Sequence, residues 1–355
     1  MELYWIWLGS LKYIGPVLQK ALIKKFGNPK AVFEASKLDY SAIPNLNKRA
    51  LQSIITNKCL GEAEKILEEA RKKDIKLLCF DDPCYPADAL QCPESPVLLY
   101  YKGTLNTFTN SVAVVGSRRC TAYGRKVALE IGRELALRGI PVISGFAKGI
   151  DSYAQAACGQ NGGYLIGFLA NGVDICYPKE QRNLYEQLLA SGSAFISQYP
   201  PGTKPNFKYF LQRNALISAW SKEIIIVEAT ENSGALWTKQ FAKSFGRRIL
   251  AVPNQIGIPE GVGTNKLIAD GEAVPYLGVH SLDSVSSCSH INQEREMRQS
   301  PKETNKMLAF ITKSPKSINE ISQYLQKDEQ ETLKELLNLE LEGRITIRGS
   351  KVTLN

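Results

Sequence analysis

The chain has 355 residues, of which 44% are hydrophobic and 22% charged, which suits two or three globular domains rather than a disordered or fibrous chain. No run reaches the 18 or more apolar residues of a membrane span, and the opening MELYWIWLGSLKYIG lacks the basic stretch and cleavage site of a signal peptide, so no membrane partner is expected. A formal net charge of +9 points to a polyanionic partner, while eight cysteines without a CxxC, joined by two histidines, point to a reduced, cytoplasmic protein with no metal site.

Residues 1–75 read as a small helical domain. Leu18, Leu22, Ile23 and Phe26 recur at helical spacing before the stop Gly27-Asn28-Pro29. Ala42 to Arg49 resembles the turn of a helix-hairpin-helix, with Asn45 and Asn47 where glycine usually supplies the left-handed turn. A charged amphipathic helix is predicted over Glu62 to Lys73. The proline-punctuated stretch from Phe80 to Gly103 reads as a connector ending in an apolar strand, Val97 to Tyr101.

The central domain, with this connector, spans 80–282. Val112 to Val115 is a β-branched run ending in Gly116-Ser117-Arg118-Arg119; a helix follows over Tyr123 to Arg138, then a second strand, Ile140 to Ile143, ending in Ser144-Gly145. Further strands are predicted at Tyr164–Leu169, Ala194–Ser197, Ile224–Val227 and Ile249–Val252, alternating with helices at Glu180–Ala190, Tyr209–Trp220 and Ala235–Phe245. This alternation predicts an α/β fold with an extended, Rossmann-like, doubly wound parallel sheet. Small residues gather after the strands, in GSR, SGFAKG, ANG, PPG, NSG and GVGTN, and place one binding face at the carboxyl ends of the strands.

Several chemistries do not fit that face. A dinucleotide site wants GxGxxG after the first strand, where Arg118 and Arg119 stand instead; no Walker sequence is present, and both histidines lie outside the strand-end loops. Arg118, Lys148, Lys179 and Arg213 each fall in or beside a strand-end loop or at a helix mouth, which suits phosphate. With Tyr123, Tyr177, Phe207 or Phe210 for stacking, such a row could track a single strand of nucleic acid, with neither cofactor nor metal required.

The ordered motifs VAVVGSRRCTAYG, SGFAKGID, CYPKE, QYPPGTKP, RNALISAWS, IIIVEA, SGALWT, AVPNQIG and GTNKLIADG resemble the DNA-processing protein A family (DprA/Smf) across residues 80 to 280. The resemblance implies a protein, not an enzyme, that binds and protects single-stranded DNA and loads the RecA recombinase onto it during natural transformation, with single-strand binding protein a further partner. It implies DNA contacts from Arg118 and Lys179, in a pocket that Gly116, Ser117, Ser144, Gly145, Lys148, Arg213 and Asn214 complete. It implies a homodimer through the region around Asn265 to Ile268, with Leu267→Glu or Ile268→Glu expected to give a monomer. Two departures stand out: Ala215 where the family usually has a second arginine, and Gln155 near the place of a usual histidine. The alternative is a nucleotide-processing, phosphoribohydrolase-like enzyme on a related fold, for which Glu228 and Glu231 beside NSG are the nearby acids.

Residues 283–303 are polar and read as a linker. Over 304–355, Met307 to Ile311 mark one helix, Ser317 caps a second, Gln330 to Leu341 form a third, and Arg344 to Leu354 form a hairpin around Arg348-Gly349-Ser350-Lys351. Three helices and a hairpin resemble the winged helix often found at this end of the family. The third helix carries Asp328, Glu329, Glu331, Glu335 and Glu340, which favours contact with protein over contact with phosphate.

Overall fold

Nearly every apolar run read above becomes a strand of one sheet. The computed structural model describes residues 1–231, 233–283, 310–311, 314, 316–327, 332, 336, 345–348 and 351–354, and the chain divides into two units, 1–286 and 287–355. In the first unit the strands are β1 (Lys76–Cys79), β2 (Leu98–Gly103), β3 (Val112–Val115), β4 (Val142–Ser144), β5 (Leu165–Phe168), β6 (Ala194–Ser197), β7 (Glu223–Ile226), β8 (Arg248–Ala251) and β9 (Val274–Pro275). Their order is 1-2-6-5-4-3-7-8-9. From β6 to β9 neighbouring strands are parallel, with Val112 opposite Val142 on one side and opposite Glu223 on the other.

Two features were not expected. The sheet is mixed: β2, the strand that ends the predicted connector, pairs antiparallel with β6, and β1, just before that connector, pairs antiparallel with β2 and forms the edge. The stretch read as a GVGTN loop is helical. Its glycines serve close approach rather than a turn, since a Cβ on Gly263 would stand 2.7 Å from the Ala229 carbonyl oxygen.

Helices α1 (Glu2–Ser10), α2 (Pro16–Phe26), α3 (Pro29–Glu34), α4 (Lys48–Thr56) and α5 (Gly61–Lys72) precede the sheet. Trp5, Ile6, Trp7 and Leu8 of α1 join the same apolar core as Leu98 and Tyr100 of β2, so the helical region is packed onto the sheet. In its hairpin only Asn45 takes the left-handed conformation, at φ 62°. Asn47 is extended and caps α4, accepting the Ala50 amide at 2.9 Å. Asn47→Ala is expected to lower stability by about 1 kcal/mol, read as a lower urea midpoint with an unchanged slope.

After the short α6 (Ala87–Leu90), the helices are α7 (Ala122–Leu137), α8 (Ile150–Gln160), α9 (Arg182–Ala190), α10 (Phe207–Ala219), α11 (Ala235–Ser244) and α12 (Pro259–Ala269). Alternation along the strands sends Val112 and Val114 to the face covered by α7, α8 and α9. Ala113 and Val115 go to the face covered by α10, α11 and α12, which makes the sheet doubly wound. On the first face α7 and α8 lie very close, because a Cβ on Gly132 would stand 2.1 Å from the Ala154 carbonyl oxygen.

In the second unit, β10 (Lys316–Ser317), β11 (Ile345–Arg348) and β12 (Lys351–Leu354) form an antiparallel sheet in the order 10-12-11. The expected hairpin pairs Arg348 with Lys351, with Gly349 and Ser350 outside the described residues. Ser317 caps α13 (Ile318–Leu325) in a reciprocal box: the Glu320 amide donates to Ser317 Oγ at 3.2 Å, and the Ser317 amide to Glu320 Oε2 at 2.7 Å. Most of the other two predicted helices, and the predicted linker beyond Asp283, fall outside the described residues.

Candidate nucleic-acid interface

The order of the strands turns at β3. The chain leaves it for β4 on one side and later returns to β7 on the other, which opens a crevice at the carboxyl ends of these strands. The Gly116-Ser117-Arg118 loop fills the mouth of that crevice. Its backbone is fixed from two directions: the Ser117 amide donates to the Glu228 carbonyl at 2.9 Å, and the Ile150 amide to the Ser117 carbonyl at 3.2 Å. Any side chain at Gly116 would strike Ile150, and Gly149, at φ 84°, leaves no room for a Cβ beside the Ser117 carbonyl. The Ser117 hydroxyl closes the loop internally, donating to the Arg119 carbonyl at 2.9 Å.

With its backbone spent in this way, the loop offers the crevice a side chain. Arg118 is exposed, its guanidinium carbon 5.0 Å from the centre of the Phe210 ring, and it forms no ion pair among the described residues. It stands where two cavities meet. One, of about 510 Å³, runs between the Gly116–Arg118 loop, α10 and the start of α11, past Phe207, Asn214 and Trp237. The other, of about 580 Å³, is lined by Arg119, Gly145, Lys148, Asn171, Tyr177 and Lys179. Phe210 borders both, with Tyr177 5.9 Å away across the second.

The nine expected site residues divide by burial. Lys179 is exposed on the rim and forms no ion pair among the described residues. Lys148 is exposed but paired with Glu180 at 3.2 Å, and the Glu180 carboxyl is held below its ordinary range by its own backbone amide and by Lys148. So open a pair is worth little to stability and can yield to a phosphate. Asn214 is half-buried, its side-chain amide donating to the Gly234 carbonyl at 3.3 Å.

Ser144 and Arg213 are both buried, and Arg213 lines the first cavity from within its wall. Ser144 is fully buried, its hydroxyl donating to the Val114 carbonyl at 2.6 Å, so it joins β4 to β3 behind the wall. Arg213 is 5% exposed, and its Nη1 donates to the carbonyls of Gly145 and of Phe168, the latter at 3.1 Å, which ties the ends of β4 and β5 to α10. A Cβ on Gly145 would fall on this guanidinium. Burial pushes Arg213 down to about 10, Asp151 resists and Arg118 pushes the same way, so it stays charged at neutral pH. Asp151 is buried too; burial pushes its carboxyl up against the pull of Arg213 and of the Ala147 and Gly145 amides. Motif spelling marks Arg118 and Arg213 alike, and only the meeting of the strand ends separates an arginine that faces outward from one that braces the wall.

Glu228, the candidate catalytic acid of the alternative reading, is fully buried and faces away from both cavities. It accepts the Thr121 amide at 3.0 Å and the Thr121 hydroxyl, and so caps the start of α7. Glu231 is exposed and pairs with Lys266 at 3.5 Å. Both departures from the family pattern, Ala215 and Gln155, are buried away from the cavity walls.

Leu267, expected between two copies, lies in the core beneath α12 at 3% exposure, and Ile268 is half-buried against the same core. Leu267→Glu would therefore damage the fold rather than report on a dimer; the loop reading of this stretch hid its inward face. Among the described residues no group of His, Cys, Asp and Glu is arranged to hold a metal, and no helix is long and apolar enough to cross a membrane.

Residues 76–285 match the family model for DNA recombination-mediator protein A. The chain is 31% identical over 305 residues to Protein Smf of Synechocystis, covering 84% of this chain and 76% of that one. Among solved structures, DNA processing protein A of Streptococcus pneumoniae superposes with a TM-score of 0.67 at 29% identity, covering 78% of this chain and 94% of that one. The Helicobacter pylori protein, solved for its mode of binding single-stranded DNA, gives a TM-score of 0.52 at 25% identity, covering 62% of this chain and 96% of that one.

Proposed function

Since this chain belongs to the DNA recombination-mediator protein A family, we propose that it binds single-stranded DNA in the two cavities at the carboxyl end of its sheet, protects the strand, and loads RecA onto it during natural transformation. The observation that carries this reading is Arg118: exposed, stacked on Phe210, without a carboxylate partner among the described residues, and placed where the two cavities join. A cation on an aromatic face beside a second cation, Lys179, suits phosphates below and bases above.

The reading is non-catalytic. Glu228 is spent on capping α7, and among the described residues no other carboxylate stands free in the cavities: Asp151 is buried on backbone amides and Glu180 is paired with Lys148. A homodimer would present two grooves to one strand and raise avidity. The outer face of α12, where Val262 is exposed, would be the surface for it, and single-strand binding protein would be the competitor to displace.

The test is binding of labelled oligo-dT against a duplex of equal length over a salt series. The single strand is expected to win, with log affinity falling by about 0.7 per phosphate neutralised for each decade of salt. Equal affinity for the two forms contradicts the single-strand reading. RecA filament growth on strands coated with single-strand binding protein should quicken when the protein is added, and unchanged growth contradicts the loading step.

A further inference from the structure

A third hollow begins where the Gly-Ser-Arg loop ends. It holds about 490 Å³ between α7 and α8 and is lined by Cys120, Thr121, Arg125, Lys126, Leu129 and Tyr153. Arg119, the residue before Cys120, lines the second central cavity, so the lining of one hollow continues along the chain into that of the other. Close packing of α7 on α8 at Gly132 sets the depth of this groove.

Its cations, like Arg118 and Lys179, have no carboxylate partner among the described residues. On α5, an ordinary solvated helix, Lys72 and Lys73 each find a carboxylate one turn away, at 2.8 and 2.7 Å. On α7, Arg125, Lys126 and Arg133 are exposed and none forms an ion pair among the described residues. Arg125, Leu129 and Arg133 recur every fourth residue and so share a face. Of the carboxylates of α7, Glu134 pairs with Arg138 at 2.5 Å, and burial, with smaller contributions from Glu130 and Glu134, raises the Tyr276 phenol. Arg125 is also held in place, its guanidinium carbon 4.9 Å from the centre of the half-buried Tyr153 ring. A guanidinium lying flat on a ring keeps its N–H edges free to donate to a phosphate. The helix terminus supplies little here, because the Gly124 amide goes to Thr121 Oγ1 and the Thr121 amide to Glu228. An anion in this groove is therefore held by side chains.

We propose that the α7–α8 groove is a second segment of the DNA path, carrying the single strand onward from the central cavities with phosphates on Arg125 and Lys126 and the strand leading towards Arg133. This rests on the single-strand reading above, and length dependence separates the two. Strands of about 6 nucleotides would fill the central cavities alone, whereas strands of about 30 would also reach the groove.

The experiment compares Arg125→Ala/Lys126→Ala with the parent on short and long oligo-dT over a salt series, with Arg118→Ala/Lys179→Ala alongside. For the long strand the double variant is expected to lose about tenfold in affinity, and its log–log salt slope to shrink by about 1.4, the value for two phosphate contacts on a single strand. Short-strand affinity should hold within twofold. Tyr153→Leu, which keeps both charges but removes the platform, should lose part of the long-strand affinity. An unchanged long strand overturns the second segment while leaving the central reading to the Arg118/Lys179 pair, and an equal loss on both lengths overturns the separation of the two segments. Long duplex competing as well as long single strand, with that competition lost in the Arg125/Lys126 variant, overturns the assignment of this groove to a single strand.

Discussion

Arg213→Ala is expected to destabilise the first unit by about 3–5 kcal/mol, the cost of removing one member of a buried charged set. The guanidinium donates to the ends of two strands at once, Gly145 of the β4 loop and Phe168 of β5, and stands near the buried Asp151. Its loss leaves both carbonyls short of a donor and leaves the Asp151 carboxylate with backbone amides alone. Chemical unfolding reads the effect as a large fall in midpoint. The loss depends on pH in a definite direction. Burial raises the Asp151 carboxyl in the folded state, and removing the cation raises it further. A carboxyl raised on folding favours the native state at low pH and disfavours it as pH rises through the raised value. The deficit of the variant should therefore shrink on acidification towards pH 4 (about the unfolded carboxylate value) and grow as pH rises. A deficit that grows on acidification would contradict the role given to Asp151.

Arg118→Ala is expected to do the opposite. The side chain is exposed and braces nothing but its own stack on Phe210, so the unfolding midpoint should hold within about 0.5 kcal/mol. Affinity for oligo-dT should fall roughly 10- to 100-fold, as expected for losing a charge-assisted hydrogen bond to phosphate, worth about 1.5–3 kcal/mol. Phe210→Ala, which leaves the charge but removes its support, should fall between this variant and the parent. If Arg118→Ala proved as unstable as Arg213→Ala, the division into an outward arginine and a bracing arginine would fail.

That division shows where sequence reading stops. The β-branched runs at Val112, Ile224 and Ile249 declare themselves as buried strands because parallel strands are covered on both faces. The Lys76–Cys79 strand escapes sequence reading, since four residues, three of them apolar in a row, beside a charged helix carry no period. Asn45 was legible as a left-handed residue, while Asn47 turned out to be a cap. The place of Arg118, Lys179 and Gly145 at the cavities is legible from their position in or beside the loops that follow strands. Phe210 is one of four aromatics the sequence offers for stacking, and which of them meets Arg118, like Asp151 and the inward turn of Ser144, depends on which strand ends meet, a tertiary fact that no spacing encodes. In the same way the glycines at 261 and 263 read as a loop, because close packing of a helix and a flexible turn use the same residue.

The central claim is that the two cavities joined at Arg118 hold the phosphates of a single strand. Its most direct measurement is the salt dependence of oligo-dT affinity for the parent and for Arg118→Ala/Lys179→Ala. Affinity is expected to fall at every salt concentration and the log–log slope to be smaller by about 1.4, with the unfolding midpoint unchanged. A variant with the parent's slope and affinity would contradict it, and would return the cavities to the small-molecule site that their size also allows.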